Sequence, residues 1–289
     1  MTQSAWPESP LVSAEELSGL VAEGSALIFD CRFDLKHPGQ GFQSYLSAHL
    51  PGAHYANLDD NLSGRVTRRS GRHPVPFPRS FASFLARSGF TPKSKVVAYD
   101  AHGGAFASRL WWLMKYFGLG CTAVLDGGIG AWMKAGYPMD SGEVSVERQS
   151  MPELRPHPGF TLNSQGVANA FENGEIRLVD ARAKDRFEGE NETIDPVAGH
   201  VPGAINRPFQ ANLTDLGRFR ESTQLRNEFR KLMGKMPPER VVHMCGSGVT
   251  ACHNLLSMEL AGLPGSKLFT ESWSGWITDP KRPVALGPG

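Results

Sequence analysis

Residues 241–251 read VVHMCGSGVTA, and this stretch decides how the chain folds. Val241–Met244 is a short apolar run, which is typical of a buried strand in a parallel sheet. The glycine-rich residues 246–250 do not continue that strand, and residues 251–260 have the composition of a helix. The stretch therefore predicts strand, tight loop and helix, with Cys245 at the carboxyl end of the strand.

A thiol in this position has an unusual electrostatic environment. It faces the backbone N–H groups of the loop and the positive end of the following helix dipole, which favours the nucleophilic thiolate. A buried structural cysteine is the alternative interpretation. The loop, however, has two glycines and two hydroxyl residues, which suit an anion-binding site better than a core segment. We therefore expect Cys245 to be a catalytic nucleophile.

Composition excludes several classes of partner. The chain has 289 residues and a net charge of +1, so neither nucleic acid nor a membrane is expected as a partner. Residues 1–7 have no basic stretch followed by an apolar run, so we expect no signal peptide. The four cysteines form no C-x-x-C pair, and the histidines lack zinc-finger spacing. We expect a reduced, cytoplasmic protein with one working thiol and no metal or cofactor.

The chain repeats itself once. Its repeated segments occur in the same order in both halves: Leu27–Asp30 and Arg177–Asp180, His49–Ala53 and His200–Ala204, Val96–Asp100 and Val241–Cys245. Each half alternates strands with helices, which predicts an α/β fold with a parallel sheet and helices on both of its faces. The expected boundaries are a domain over 1–140, a proline-containing linker over 141–160, and a domain over 161–289. In the first domain Asp100 stands where the second has Cys245, so we expect the first to be catalytically silent.

Together these features resemble the two-domain rhodanese-type sulfurtransferase family. The resemblance covers about residues 11–286 and rests on the duplication, the two His-x-Pro-Gly-Ala turns, Gly71–Pro74 and the loop Cys245–Thr250. That loop is similar to the loop of the 3-mercaptopyruvate sulfurtransferase branch. The thiosulfate branch typically has two cationic residues directly after the cysteine, where this chain has Gly246 and Ser247.

The resemblance implies a mechanism by covalent double displacement. Cys245 takes the sulfane sulfur of a small-molecule donor, becomes a persulfide, and passes the sulfur to cyanide, a small thiol or a thioredoxin-like acceptor. Gly246, Gly248, Val249 and Thr250 would line the site around the bound sulfur. Two alternatives stay open: a thiosulfate:cyanide sulfurtransferase, and a persulfide relay or binding protein for a dedicated protein partner.

The resemblance also implies three further site residues. Arg186 matches an arginine that holds the anionic group of the donor. Ser247 would bind the sulfur or relay a proton together with a histidine, for which His49 is the match. His49 could equally be a structural turn residue, because His200 occupies the same place in the other half.

The sequence departs from the family pattern at one point. The mercaptopyruvate branch often has a second arginine shortly before the second His-x-Pro-Gly turn, where residues 190–196 here read ENETIDP. If Arg186 is only a surface residue, the basic loop Arg65–Arg72 is the next candidate for binding the donor anion.

Phosphatases with a Cys-x5-Arg loop also place a cysteine between a strand and a helix. Their phosphate-binding arginine would fall at position 251, which is Ala251 in this chain. The sequence therefore argues against hydrolysis of phosphate monoesters.

Overall fold

The computed structural model describes Trp6 and residues 9–289, and these residues form two compact units. The first unit comprises Met1–Gly64, Pro76–His157 and Asp215–Phe219, and the second comprises Arg65–Val75, Pro158–Thr214 and Arg220–Gly289. The segment Arg65–Val75 thus packs with the second unit although it lies within the first half of the chain. Residues 1–7, on which the expectation of no signal peptide rests, lie outside the described residues apart from Trp6.

The first unit is built on a five-stranded sheet. Its elements are β1 (Leu11–Val12), α1 (Ala14–Ala22), β2 (Ala26–Asp30), α2 (Gln40–Ser47), β3 (His54–Tyr55), α3 (Pro78–Arg87), β4 (Lys95–Tyr99), α4 (Ala107–Tyr116), β5 (Thr122–Leu125) and α5 (Gly128–Lys134). The strand order is β1-β5-β4-β2-β3, and every pair is parallel. The strand β4 therefore lies in the middle of the sheet.

The second unit repeats this plan. Its elements are β6 (Thr161–Leu162), α6 (Ser164–Glu172), β7 (Arg177–Asp180), α7 (Lys184–Glu188), β8 (Ile205–Asn206), α8 (Ser222–Met233), β9 (Val241–Met244), α9 (Ala251–Leu260), β10 (Lys267–Phe269) and α10 (Ser272–Trp276), with short 3-10 turns at Pro158–Phe160, Phe209–Asn212 and Pro238–Arg240. The order is β6-β10-β9-β7-β8, again parallel throughout. The expected α/β architecture is confirmed.

Successive residues of a strand point to opposite faces of the sheet, and both faces are covered by helices in the second unit. Leu178 and Val242 pack in a core cluster with residues of α6 and α10. Val179 and Val241 pack in a separate cluster with residues of α8 and α9. The two apolar clusters explain why adjacent residues of these strands, Leu178 with Val179 and Val241 with Val242, are apolar on both faces.

The helix starts follow the sequence signals. Ser13 caps α1 in a capping box, in which its side chain accepts from the Glu16 N–H and the Glu16 carboxylate accepts from the Ser13 N–H. Asn163 caps α6 by accepting from the Gly166 N–H at 2.8 Å. None of the helices formed by the described residues is long and apolar enough to cross a membrane.

Each unit has an equivalent Asp–Arg ion pair beside its His-x-Pro-Gly-Ala turn. Arg182 binds Asp180 through Nη2 at 2.7 Å and also donates to the Gly199 carbonyl at 2.8 Å. In the first unit Arg32 binds Asp30 and donates to the Ala48 carbonyl at 2.6 Å. These arginines therefore tie the end of a strand to the residue just before each histidine, which is a structural role.

The central strand β9 contains a buried histidine. His243 has no exposed surface, and its Nε2 lies 3.0 Å from the Met258 sulfur. Burial, with a smaller contribution from the charge of Arg207, lowers the pKa of His243 from 6.5 to about 3.

We predict that this histidine makes folding sensitive to acid. The unfolded chain binds a proton near pH 6.5, whereas folded His243 stays neutral down to about pH 3, so its contribution is complete above 6.5 and is lost as the pH falls towards 3. Between about pH 7.5 and about pH 5 the free energy of unfolding should fall by about 2 kcal/mol from this group alone. Urea unfolding of the wild type and of His243→Gln at both pH values tests this. A loss of the same size in the variant would contradict the assignment.

Candidate active site

Cys245 directly follows the central strand β9, and only 2% of its surface is exposed. Its backbone is fixed by the start of α10: the Cys245 N–H donates to Ser272 Oγ at 3.1 Å, and the Trp273 N–H donates to the Cys245 carbonyl at 3.0 Å. The Ser274 N–H donates to the carbonyl of Gly246 at 2.8 Å. The backbone of Cys245 and Gly246 is thus held in place by the first turn of α10, which we call the turn 272–274.

We call residues 246–250 the cradle loop. The N–H of Gly248 points at the cysteine and donates to Cys245 Sγ at 3.2 Å. Gly248 has φ +79°, a conformation that a residue with a side chain rarely adopts. Val249 and Thr250 complete the loop before α9 begins, and the Cys252 N–H donates to the Val249 carbonyl. The residues that the sequence assigned to this loop, Gly246 and Gly248–Thr250, therefore form one tight turn between Cys245 and α9.

The equivalent loop of the first unit already holds an anion. The two carboxylate oxygens of Asp100 accept four backbone N–H bonds of 2.7–2.9 Å, from His102, Gly104, Phe106 and Ala107. A cysteine persulfide places its outer sulfur two atoms beyond Cβ, as aspartate places its carboxylate oxygens. Asp100 therefore places its acceptor atoms as many bonds from Cβ as the outer sulfur of a persulfide, which supports the interpretation of the loop fold as an anion-binding fold.

Ser247 has a histidine partner, and that partner is His73. His73 Nδ1 and Ser247 Oγ are 2.7 Å apart, and both residues are buried. An imidazole bonded to a hydroxyl can pass a proton through it, so this pair can supply the proton relay that was expected for Ser247.

The histidine bonded to Ser247 is thus His73, whereas the residue that the sequence matched to this role was His49. His49 has no exposed surface, its Nδ1 bonds the Tyr45 carbonyl at 2.8 Å, and its ring stacks on Tyr45 at 4.3 Å. His200 repeats this arrangement with Phe187, at 2.9 Å and 3.8 Å. The shared geometry favours the structural interpretation that the sequence had left open. The sequence signal for His73 is the tetrapeptide Gly71–Pro74, which carries the family resemblance but does not by itself indicate a contact with Ser247.

Arg186 lies on α7, next to the cradle loop. Its Nε and Nη2 bind the carboxylate of Glu192 at 2.9–3.2 Å, and Nη2 also lies 3.1 Å from Asp195. A Cβ placed on Gly246 would be 3.6 Å from Arg186 Nη2 and 3.7 Å from Nη1. The guanidinium thus lies beside the residue that follows Cys245, and acidic residues of 190–196 bind it from the side.

The remaining cysteines occupy other environments. Cys31 is buried, and burial raises the pKa of its thiol well above the ordinary value. Cys252 is buried in α9 and donates to the Gly248 carbonyl at 3.4 Å. Cys121 is exposed, at the residue before β5. Among the four, Cys245 alone lies at the end of a central strand with a loop N–H on its sulfur.

Comparison with known proteins agrees with this geometry. The model of the rhodanese-like domain matches the chain twice, at residues 13–135 and 164–279. The chain belongs to the rhodanese family. The two matches coincide with the two repeats, and the expectation of a tandem rhodanese-like architecture is thereby confirmed.

Individual relatives extend over nearly the whole chain. A probable 3-mercaptopyruvate sulfurtransferase of Pseudomonas aeruginosa is 43% identical and covers 96% of this chain and 98% of its own. A putative thiosulfate sulfurtransferase of Mycobacterium tuberculosis is 36% identical, covering 96% and 97%. The structure of 3-mercaptopyruvate sulfurtransferase from Leishmania major superposes with a TM-score of 0.82 at 29% identity, covering 93% of this chain and 75% of that one. The expected enzyme class, a sulfurtransferase, is confirmed.

We predict that Asp100 stabilises the first unit and takes no part in sulfur transfer. Asp100→Asn replaces one acceptor oxygen by an amide that faces two N–H donors, so the free energy of unfolding should fall by about 2–3 kcal/mol. Turnover per folded molecule should stay unchanged. Urea unfolding and activity measured on the same preparation test this, with Asp215→Asn, at an exposed position, as the control. A variant as stable as the wild type would show that the loop N–H groups do not need the carboxylate.

Proposed function

We propose that the protein transfers sulfur from 3-mercaptopyruvate through a persulfide on Cys245. The Cys245 thiolate attacks the donor sulfur, the carbon–sulfur bond breaks, and its electron pair leaves on pyruvate enolate, which takes up a proton to become pyruvate. The persulfide then gives its outer sulfur to a nucleophile such as cyanide, which releases thiocyanate and restores the thiolate. The observation that carries this proposal is the Gly248 N–H on Cys245 Sγ, in a loop whose counterpart holds the Asp100 carboxylate.

The backbone of the cradle loop supplies the electrostatic part of catalysis. Its N–H groups are fixed before the donor arrives, so they stabilise negative charge on sulfur without reorganising. The glycine at position 248 permits the turn, and the bonds from the turn 272–274 keep Cys245 in place. This arrangement suits both states of the sulfur, thiolate and persulfide.

Ser247 and His73 favour mercaptopyruvate over thiosulfate as the donor. The group that leaves from mercaptopyruvate is pyruvate enolate, which needs a proton, whereas the group that leaves from thiosulfate is sulfite, which does not. The Ser247 hydroxyl, two residues from the nucleophile and 2.7 Å from His73 Nδ1, is in a position to deliver that proton. The names of the relatives include both donors, so they do not decide between mercaptopyruvate and thiosulfate. The proposal of mercaptopyruvate therefore rests on the contact between Ser247 and His73.

The acceptor and the location are proposed from the chemistry alone. Cyanide, a small thiol or a thioredoxin-like protein can each attack the persulfide, and a catalytic thiol that must stay reduced fits the cytoplasm. Release of sulfide or thiocyanate with each acceptor in turn distinguishes them.

We predict that Cys245→Ser abolishes sulfur transfer from both donors and leaves the fold intact, because a hydroxyl is a far poorer nucleophile towards sulfur. After donor treatment, a mass spectrum of the digested wild type should show one added sulfur on the Cys245 peptide. Cys121→Ser, at the exposed cysteine, should keep wild-type activity. A persulfide on another cysteine, or substantial turnover by Cys245→Ser, would contradict the central assignment.

We predict that the donor preference depends on Ser247. The wild type should have a higher kcat/KM for mercaptopyruvate than for thiosulfate, by about tenfold or more. Ser247→Ala should lower turnover of mercaptopyruvate by about a hundredfold or more, the contribution typical of a proton-transfer group. Turnover of thiosulfate should change little, because sulfite leaves without a proton.

The control is Ser257→Ala, which removes a buried hydroxyl of α9 that donates to the His253 carbonyl. It should not alter the ratio of the two donors. Equal losses for both donors in Ser247→Ala would mean that the hydroxyl positions the sulfur and does not relay a proton.

A further inference from the structure

The segment Arg65–Val75 carries a second arginine to the cradle loop. Its attachment is close: the Arg72 N–H donates to Ser274 Oγ at 3.0 Å, and a Cβ on Gly71 would lie 2.4 Å from the Glu271 carbonyl oxygen. Only glycine fits there without displacing backbone. The turn 272–274 that anchors the segment is the same turn that holds Cys245.

The guanidinium of Arg72 lies directly against Gly246. A Cβ at Gly246 would be 2.8 Å from Arg72 Nη2, nearer than either terminal nitrogen of Arg186. The missing side chain of Gly246 thus leaves the space that Arg72 uses. Burial lowers the pKa of Arg72, and its attraction to the Cys245 sulfur opposes that change, so the side chain keeps its charge close to the nucleophile.

Asp195 joins the two arginines from the buried side. One carboxylate oxygen binds Arg72 Nη1 and the other lies 3.1 Å from Arg186 Nη2. The side chain of Asp195 is 2% exposed, against 29% for Arg72 and 17% for Arg186. The carboxylate therefore sits behind the guanidinium groups and leaves their outer edges towards solvent.

Both arginines keep donors for a ligand. Arg72 Nε and Nη2 and Arg186 Nη1 have no hydrogen-bond partner among the described residues, and none of the three nitrogens is sealed from solvent. A simple structural ion pair would need only the contact with Asp195. Two guanidinium groups with unused N–H donors, side by side and next to the nucleophile, form a site for a carboxylate or a sulfonate-like group.

We infer that Arg72 is a substrate-binding residue that holds the anionic group of the sulfur donor together with Arg186. It takes the place of the arginine that is missing from residues 190–196, and Asp195 is the positioning residue that keeps the two guanidinium groups together. This inference rests on the proposed function, because it assigns the group that binds the donor carboxylate.

The first experiment measures the donor and acceptor steps separately. Arg72→Ala should lower kcat/KM for mercaptopyruvate about ten- to a hundredfold, the loss expected for a charged hydrogen-bonding pair, while kcat/KM for cyanide changes little. Arg72→Lys should recover part of the loss, because it keeps the charge and lacks the planar fork. Arg68→Ala removes an exposed arginine of the same segment and should behave as the wild type. A fall of less than threefold for Arg72→Ala would overturn the inference.

The second experiment displaces Arg72 without removing its charge. Gly246 does not have a positive φ, so Gly246→Ala is compatible with the backbone, and the new Cβ must push aside the flexible end of Arg72. This variant should lose donor kcat/KM to a similar extent as Arg72→Ala, and the double variant should lose little more than either single one. Losses that simply multiply would show that Gly246 and Arg72 act independently, and would overturn the inference.

A binding measurement separates this inference from the proposed function. Calorimetric titration of mercaptopyruvate into Cys245→Ser, which cannot take the sulfur, should give a dissociation constant that rises about tenfold or more when Arg72→Ala is added. If the wild type forms a persulfide but the titrations are equal, Arg72 is a structural residue and the proposed function stands. If the wild type forms no persulfide from any donor, the proposed function itself fails.

Discussion

The structure depends on one constraint: a turn of backbone N–H groups at the carboxyl end of each central strand needs an acceptor. Such groups cannot be left unpaired in a buried loop without a large cost. In the first unit the carboxylate of Asp100 accepts four of them permanently. In the second unit Cys245 presents a sulfur to the Gly248 N–H, and the outer sulfur of a persulfide would extend further into the loop. The first unit thus holds, as a fixed side chain, the kind of anion that the proposed function places on Cys245 during turnover.

Duplication separates structural residues from chemical ones. The Asp–Arg pair that ties a strand to the histidine turn occurs in both units, as does the stacked histidine of that turn. A residue whose equivalent makes the same contacts in the unit without the loop cysteine has a structural role that does not depend on that cysteine. Ser247 belongs to the cradle loop, and His73 and Arg72 reach it from the segment Arg65–Val75. None of the three lies in a repeated segment. In a duplicated chain, asymmetry between the repeats is therefore a stronger indication of function than similarity to a motif.

The sequence predicted what local physics determines. The run Val241–Met244 and the glycines after it are set by neighbours a few residues apart, and the structure confirms the strand and loop that they predict. The caps at Ser13 and Asn163 are equally local, because each accepts from an N–H three residues further along the chain. The partner of Ser247 lies in a segment that precedes it by more than half of the chain and that packs with the second unit, so no local pattern indicates the contact. The tetrapeptide Gly71–Pro74 was a usable signal: it lies in no helix or strand, yet it combines a glycine with two side chains suited to chemistry.

The acidic stretch 190–196 has a physical explanation once Arg72 is placed. Three arginines surround Glu192 and Asp195: Arg72, Arg182 and Arg186. An additional arginine on this stretch would add a fourth positive charge at short range, whereas a carboxylate there pairs the guanidinium groups and orients them. Arg72 thus supplies from another segment a positive charge beside Arg186, while residues 190–196 supply the carboxylates that pair with both. If Arg72 and Arg186 hold the donor anion as inferred above, its binding depends less on net positive charge than on two guanidinium forks held in a fixed orientation beside Cys245.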